Sequence, residues 1–127
     1  MRYFLFLFCC LSFSWGQDPV KWSAQARQTD TNTYDVILKA DIQDSWKLYD
    51  VNLPDGGPLS TVLLWKNATA LGALQGNEPK TGYDVIFEMD LSYYTNELIW
   101  IQSVTTEAAT IELLIEYQAC DDALCIF

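Results

Sequence analysis

Two cysteines near the end of the chain are the residues best suited to do chemistry. Cys120 and Cys125 are separated by four residues in the stretch YQACDDALCIF, and two of those four are acidic. Such a pair can exchange electrons with another protein, because a thiolate attacks a disulfide and forms a mixed disulfide with it. The same pair can instead form a structural disulfide that closes a short loop.

The residues around the pair weaken both interpretations. A disulfide across so short a ring stabilises a fold by only about 2 kcal/mol in the chain-entropy model. Asp121 and Asp122 lie beside Cys120, and nearby negative charge raises the pKa of a thiol. A dithiol here would be a poor free-standing nucleophile, but it would suit a specific partner whose disulfide it meets in a desolvated interface. From the residues alone, the structural disulfide and the redox pair both stay open.

The composition excludes several other kinds of site. The chain has no histidine, so a Ser-His-Asp or Cys-His catalytic arrangement and a His-ligated metal site cannot form. Glu88 and Asp90 are paired carboxylates, but they do not follow the spacing of a calcium-binding loop. The sequence also has no glycine-rich phosphate loop between a strand and a helix. We therefore expect no cofactor and no metal.

The charge of the chain argues against two classes of partner. There are 17 Asp and Glu residues against 7 Lys and Arg residues, and the acidic residues are scattered along the whole sequence. Binding to nucleic acid or to anionic lipid depends on clustered basic side chains. We expect no nucleic acid partner and a solvated acidic surface.

The first residues have the composition of an export signal. Arg2 precedes an apolar run at residues 3–13, and the small residues Ser14 and Gly16 follow it. The run is shorter than the roughly 20 residues that cross a bilayer as a helix. We predict a signal peptide at residues 1–16, followed by a single domain at residues 17–127. Cleavage would remove Cys9 and Cys10 and leave Cys120 and Cys125 as the cysteines of an exported chain.

The elements that would position the cysteines are short β-strands. Apolar and polar residues alternate along two early segments, with apolar side chains at Val20, Trp22, Ala24 and Ala26, then at Tyr34, Val36, Leu38, Ala40 and Ile42. Further strand candidates are residues 46–49, 59–65, 70–75, 86–93, 98–104 and 110–117, and turn signals between them include residues 53–58 and 76–82. About eight short strands without a helical repeat predict an all-β fold, an immunoglobulin-like antiparallel β-sandwich.

Four segments carry a resemblance to a known family. They are DPVKWS at residues 18–23, WKLYDVNLPDGGPL at 46–59, GYDVIFEMD at 82–90 and YQACDDALC at 117–125. In this order they resemble the N-terminal periplasmic domain of the thiol:disulfide interchange protein DsbD. The resemblance implies an immunoglobulin-like sandwich in the periplasm that relays electrons through one cysteine pair.

The resemblance also implies roles for individual residues. Cys125 matches the cysteine that forms mixed disulfides with partners, and Cys120 matches the one that resolves them. The implied partners are thioredoxin-fold proteins: the thioredoxin-like domain of DsbD as electron donor, and disulfide isomerases and cytochrome c maturation thioredoxins as acceptors. A mobile cap loop is implied at residues 83–87, with Phe87 or Tyr83 as the shield and Asp84 as the acidic neighbour. Such a lid would protect the pair from small oxidants.

The end of the chain departs from the family. Members usually continue after the second cysteine with Pro-Pro and one more strand, whereas here Ile126 and Phe127 end the sequence. The membrane domain and the thioredoxin-like domain of the family are also missing. We expect a C-terminally truncated domain that lacks its last strand and would meet a membrane only through the missing region. The alternative is a domain that stands alone.

These observations lead to one main hypothesis and one alternative. The main hypothesis is a periplasmic thiol-disulfide exchange domain, part of a protein-disulfide reductase, which uses Cys120 and Cys125. The alternative is a noncatalytic secreted immunoglobulin-like binding module whose cysteines form a structural loop disulfide. The two hypotheses differ in whether the cysteines must react with a partner.

Overall fold

The computed structural model describes residues 18–127, which form eleven β-strands. The strands are β1 (Val20–Asp30), β2 (Thr33–Ile42), β3 (Lys47–Tyr49), β4 (Val62–Trp65), β5 (Thr69–Gly76), β6 (Lys80–Asp84), β7 (Met89–Tyr94), β8 (Glu97–Thr105), β9 (Leu113–Glu116), β10 (Ala119–Cys120) and β11 (Cys125–Ile126). Within the described residues, no helix has the length and apolar character needed to cross a membrane. The predicted signal peptide at residues 1–16 lies outside them.

The strands form three antiparallel sheets. A four-stranded sheet has the order β1-β2-β8-β5, a five-stranded sheet has the order β11-β10-β3-β7-β6, and β4 pairs with β9 in a two-stranded sheet. The two larger sheets contribute side chains to one hydrophobic core. The fold is therefore the all-β, immunoglobulin-like antiparallel sandwich that the strand pattern predicted.

The core between the two larger sheets fixes which way the cysteines face. Leu38 and Trp100 enter it from the four-stranded sheet, and Tyr94 and Ala119 enter it from the five-stranded sheet. Tyr94 meets the Trp100 ring edge-on and accepts a hydrogen bond from its indole nitrogen at 3.2 Å. Because successive side chains of a strand point to opposite faces, burial of Ala119 in this core directs Cys120 to the outer face of the sheet.

The alternating pattern predicted β2 well and β1 only in part. In β2 the apolar residues Val36, Leu38, Ala40 and Ile42 are all buried. In β1 only the first of the predicted apolar residues is buried, and the later alanines of the strand are exposed. β1 is an edge strand that extends past the core, so its alternation is not matched by burial along its whole length.

The prediction was wrong at three places around the site. Residues 80–82 were assigned to a turn but belong to β6, and residues 86–88 were assigned to a strand but form the turn between β6 and β7. Glu88 adopts a φ of 55° in that turn, which is left-handed backbone. The short strands β10 and β11 were not predicted at all. β6 is an exposed edge strand, and β10 and β11 are two residues each, so none of them shows a useful alternation.

Candidate functional site: a disulfide beneath a cap loop

The two cysteines are joined in a disulfide that crosses a β-hairpin. Cys120 in β10 and Cys125 in β11 are directly opposed in the antiparallel ladder. Their sulfur atoms are 2.05 Å apart and their Cα atoms are 4.1 Å apart. β10 also pairs with β3, so the hairpin extends the five-stranded sheet at one edge.

Asp121, one of the two acidic residues between the cysteines, closes the turn that joins them. Asp121 donates its backbone N–H to the carbonyl of Leu124 at 3.0 Å. Its carboxylate accepts the backbone N–H groups of Leu124 at 2.7 Å and Ala123 at 2.8 Å. These hydrogen bonds hold the pKa of Asp121 below its usual value. Asp121 therefore shapes the hairpin, whereas Asp122 beside it is exposed.

The two sulfur-bearing residues differ in their access to solvent. Cys120 is 1% exposed, while Cys125 is only partly buried. Both belong to a small hydrophobic cluster on the outer face of the sheet, which consists of Tyr49, Leu91, Cys120, Leu53, Phe87, Met89, Tyr93 and Cys125. An attacking thiolate must reach a sulfur along the S–S axis, so this geometry makes Cys125 the more accessible target.

The cap loop predicted at residues 83–87 corresponds to the end of β6 and the turn at residues 85–88; from here the name cap loop denotes that turn, which brings Phe87 against this cluster. Phe87 packs into the cluster and meets the Tyr49 ring edge-on, with the ring centroids 5.8 Å apart. Tyr83, the other residue predicted as a shield, is 62% exposed. Of the two aromatic candidates, Phe87 is therefore the one that the structure places against the cysteine cluster.

Asp84 anchors the cap loop through hydrogen bonds to its buried carboxylate. Its side chain is 2% exposed. One carboxylate oxygen accepts the backbone N–H groups of Ile86 at 2.9 Å and Phe87 at 3.2 Å. The other oxygen accepts the hydroxyl of Tyr49 at 2.8 Å. Asp84 thus ties the loop to β3, the strand that pairs with β10.

The electrostatics of this anchor keep Asp84 ionised and Tyr49 protonated. Burial by itself raises the pKa of Asp84, but hydrogen bonds from Tyr49, Phe87 and Ile86 outweigh it, and the Lys47 ammonium at 3.9 Å adds to them. The pKa of Asp84 is therefore below its usual 3.8. Burial, together with the hydrogen bond to the Asp84 carboxylate, raises the pKa of Tyr49 far above its usual value.

Comparison with known families decides what kind of domain this is. The family described as "Thiol:disulfide interchange protein DsbD, N-terminal" matches residues 17–127. The chain belongs to this family. A search of curated proteins found no match. The resemblance predicted from the four sequence segments is thus confirmed.

A solved structure supports the fold of this DsbD-family domain. The N-terminal periplasmic domain of ScsB from Proteus mirabilis matches with a TM-score of 0.67 and 15% sequence identity. The match covers 86% of this chain and 43% of the ScsB chain, so this chain spans less than half of that structure. At this identity the likeness concerns the fold, and it agrees with the sandwich described above.

Two residues of the DsbD-family site were not predicted as site residues from the sequence. Gln118 donates a side-chain N–H to the sulfur of Cys120 at 3.6 Å. Lys47 is directly opposed to Cys120 across the β3–β10 ladder. Both lie in segments that carry the resemblance, but neither contact follows from the spacing. Only the strand register brings Lys47 opposite Cys120.

The described residues offer no arrangement for metal chemistry. No group of three or more His, Cys, Asp or Glu side chains between residues 18 and 127 could hold a metal ion.

Proposed function

We propose that this domain exchanges electrons with thioredoxin-fold proteins in the periplasm through the Cys120–Cys125 pair. The observation that carries the proposal is a disulfide between one buried and one partly buried cysteine, in a hydrophobic cluster to which Phe87 also belongs. In this proposal residues 1–16 are a signal peptide and residues 17–127 are the exchange domain of a larger protein-disulfide reductase. The thioredoxin-like domain of DsbD reduces the pair, and disulfide isomerases and cytochrome c maturation thioredoxins are reduced by it.

The two cysteines have different roles in the proposed reaction. A thiolate of the reduced partner attacks Cys125, because its sulfur is the more accessible. Cys120 then leaves and later resolves the mixed disulfides that Cys125 forms with electron acceptors. Phe87 shields the pair between encounters, Asp84 holds the cap loop, and exposed Tyr83 lies on the same hairpin where a docking partner would reach it.

Exposed apolar side chains flank the disulfide and support a docking role. Val85 and Ile86 are exposed at the tip of the cap loop, and Leu124 is exposed in the turn between the cysteines. Contiguous exposed apolar patches mark protein-binding sites, and in this proposal the three side chains belong to one such patch. A partner that covers them would displace Phe87 and exclude water from the exchanging sulfurs.

A structural role for the disulfide is less well supported. The turn from Asp121 to Leu124 is already closed by three hydrogen bonds, and a ring this short gains only about 2 kcal/mol from a disulfide. The hydrophobic core between the large sheets contains neither cysteine. The disulfide would therefore add little stability to a hairpin that its hydrogen bonds already hold.

Trapping a mixed disulfide tests the proposal. Cys120→Ala removes the resolving thiol, so Cys125 should attack an oxidised disulfide isomerase and remain linked to it. The adduct would be seen on a nonreducing gel, and peptide mapping would locate the linkage. Cys125→Ala is the matched control and should give little adduct, because the remaining thiol is buried. Absence of a Cys125-linked adduct, or equal adducts from both variants, would contradict the assigned roles.

A further inference from the structure

Breaking the disulfide leaves a negative charge at a buried position. In the proposed exchange, on which this inference rests, a partner thiolate attacks the sulfur of Cys125 and the S–S electron pair moves to the sulfur of Cys120. Cys120 is 1% exposed, so bulk water cannot solvate the thiolate that forms there. A buried charge of this kind is costly unless hydrogen bonds or an opposite charge compensate it.

Gln118 presents a hydrogen-bond donor to this sulfur. Its side chain is buried, and its Nε2 lies 3.6 Å from the sulfur of Cys120. Its Oε1 accepts the backbone N–H of Leu59 at 2.7 Å. Because the Leu59 amide can only donate, it holds the oxygen end of the Gln118 amide and turns the NH₂ end toward Cys120. The donor is thus oriented before the thiolate forms.

Lys47 adds a positive charge on the same face of the sheet. It is the direct cross-strand neighbour of Cys120, and opposed residues of an antiparallel pair place their side chains on the same face. Its ammonium lies 3.9 Å from a carboxylate oxygen of Asp84 and 4.7 Å from the ring centre of Tyr93. These contacts keep the ammonium on the face that bears the cysteine cluster.

Lys47 is needed to stabilise a thiolate at Cys120 because the other charged groups around it are carboxylates. Asp84 on β6 is ionised and faces Lys47, while the Asp121 carboxylate in the hairpin turn is bonded to backbone amides. Tyr49 on β3 donates its hydroxyl hydrogen to Asp84 and is uncharged. Without Lys47, a thiolate at Cys120 would form near carboxylates with no compensating cation from its neighbouring strand.

We propose that Gln118 and Lys47 stabilise Cys120 as a leaving thiolate. Gln118 acts as a catalytic residue, because its amide touches the reacting sulfur, and Lys47 acts through its charge. A leaving thiol with a lower pKa leaves faster, so both residues speed the opening of the disulfide.

The electrons and protons of the step balance with a partner dithiol as the reductant. Its first thiolate forms a bond to Cys125 as the Cys120–Cys125 bond breaks. Its second thiolate then attacks the partner sulfur of that mixed disulfide and releases Cys125. The partner leaves as a disulfide, and its two thiol protons pass through solvent to Cys120 and Cys125.

The titration of Cys120 in the reduced protein tests this proposal without a partner. The Cβ chemical shift of Cys120, followed by NMR against pH, reports its pKa separately from the other thiols. Gln118→Glu keeps an acceptor for the Leu59 amide but replaces the donor with an oxygen, and Lys47→Met removes the charge. Each should raise the pKa of Cys120 by about one unit or more, and Lys47→Arg should restore it.

Lys39→Met is the matched charge control. Lys39 is paired with Asp41 and Glu97 on the four-stranded sheet, which does not carry the cysteines, so its loss should leave the Cys120 titration unchanged. The proposal is overturned if Cys120 titrates alike in folded Lys47→Met and wild-type protein, or in folded Gln118→Glu and wild-type protein. Should Gln118→Glu not fold, the Lys47 variants decide the outcome.

This test can fail separately from the proposed function. A shift of the Cys120 pKa in both variants, with no adduct to a disulfide isomerase, would support the thiolate site and contradict the partner class. An adduct through Cys125 with no pKa shift in either variant would support the exchange and overturn the roles of Gln118 and Lys47.

Discussion

The buried pair of Tyr49 and Asp84 connects the cap loop to the sheet that carries the cysteines. The Tyr49 hydroxyl donates to Asp84, and the carboxylate in turn accepts the amides of Ile86 and Phe87. A buried carboxylate that loses one of these donors is left partly unsatisfied, which costs more than the hydrogen bond contributes in water. The closed position of Phe87 therefore depends on Tyr49.

Removing the Tyr49 hydroxyl tests this connection. Tyr49→Phe should lower the free energy of unfolding by about 1–3 kcal/mol, because Asp84 stays buried with one donor fewer. Urea denaturation of the oxidised protein would measure the change. Tyr83→Phe removes a hydroxyl from the residue next to Asp84 in β6, but this side chain is 62% exposed, so the substitution should change the free energy of unfolding little. Equal effects of the two substitutions would contradict the anchoring role of the Tyr49 hydroxyl.

Asp84 should also make the stability depend on acidity. Its pKa is lower in the folded chain than the value of about 3.9 expected when unfolded, so its ionised form stabilises the fold above that value. This contribution is lost as the pH falls through the folded pKa. Unfolding free energy measured against pH should therefore fall more steeply below about pH 4 in the wild type than in Asp84→Asn. An equally steep fall of the unfolding free energy below about pH 4 in both proteins would show that Asp84 contributes no such stabilisation.

The sequence predicted which residues lie near the cysteine pair better than it predicted their contacts. Cys120, Cys125, Asp84 and Phe87 could be named from the motif segments, and the structure brings all four to one outer face. The partner of Asp84 could not be named, because Tyr49 lies in β3, 35 residues earlier in the chain, and only the folding of the sheet brings the two together. The same reason hid the contact between Lys47 and Cys120.

At the scale of elements, two short hairpin turns define the site. The β10–β11 hairpin carries the disulfide, and the β6–β7 turn forms the cap loop, whose Phe87 packs in the same hydrophobic cluster. The sequence placed both turns only approximately. β6 begins inside the segment EPKTG, whose proline, glycine and polar residues predict a loop, yet pairing with β7 makes it an edge strand. Edge strands bury few side chains, so the composition of this segment did not indicate a strand. Its pairing with β7 determines the structure.

The cap loop should control how fast small thiols reach the disulfide. Phe87→Ala removes the ring that packs on the cysteine cluster and should speed reduction by glutathione on the order of threefold to tenfold, since reactivity follows exposure. Val85→Ala alters the same loop at a side chain that is 78% exposed and should leave the rate unchanged. The rates would be followed by thiol labelling and mass spectrometry. An unchanged rate in Phe87→Ala would show that the ring does not shield the pair.

At the scale of the whole molecule, the sandwich encloses the hydrophobic core and the β10–β11 hairpin carries the disulfide at one end of the five-stranded sheet. The alternation in β2 predicted its buried face, because β2 lies between two strands in the middle of its sheet. The arrangement of the second sheet was not predictable from such patterns, since β3, β10 and β11 are only two or three residues long. Their order is fixed by pairing between distant parts of the chain. That pairing places the disulfide at a sheet edge.

The reduction potential of the Cys120–Cys125 pair tests the central claim most directly. The protein would be equilibrated with glutathione or dithiothreitol buffers, and the fraction of oxidised Cys120–Cys125 would be measured by thiol alkylation and peptide mapping. A pair that relays electrons between thioredoxin-fold proteins should titrate at a midpoint above about −300 mV. A midpoint well below about −300 mV would place the pair among inert structural disulfides and would contradict the proposed exchange.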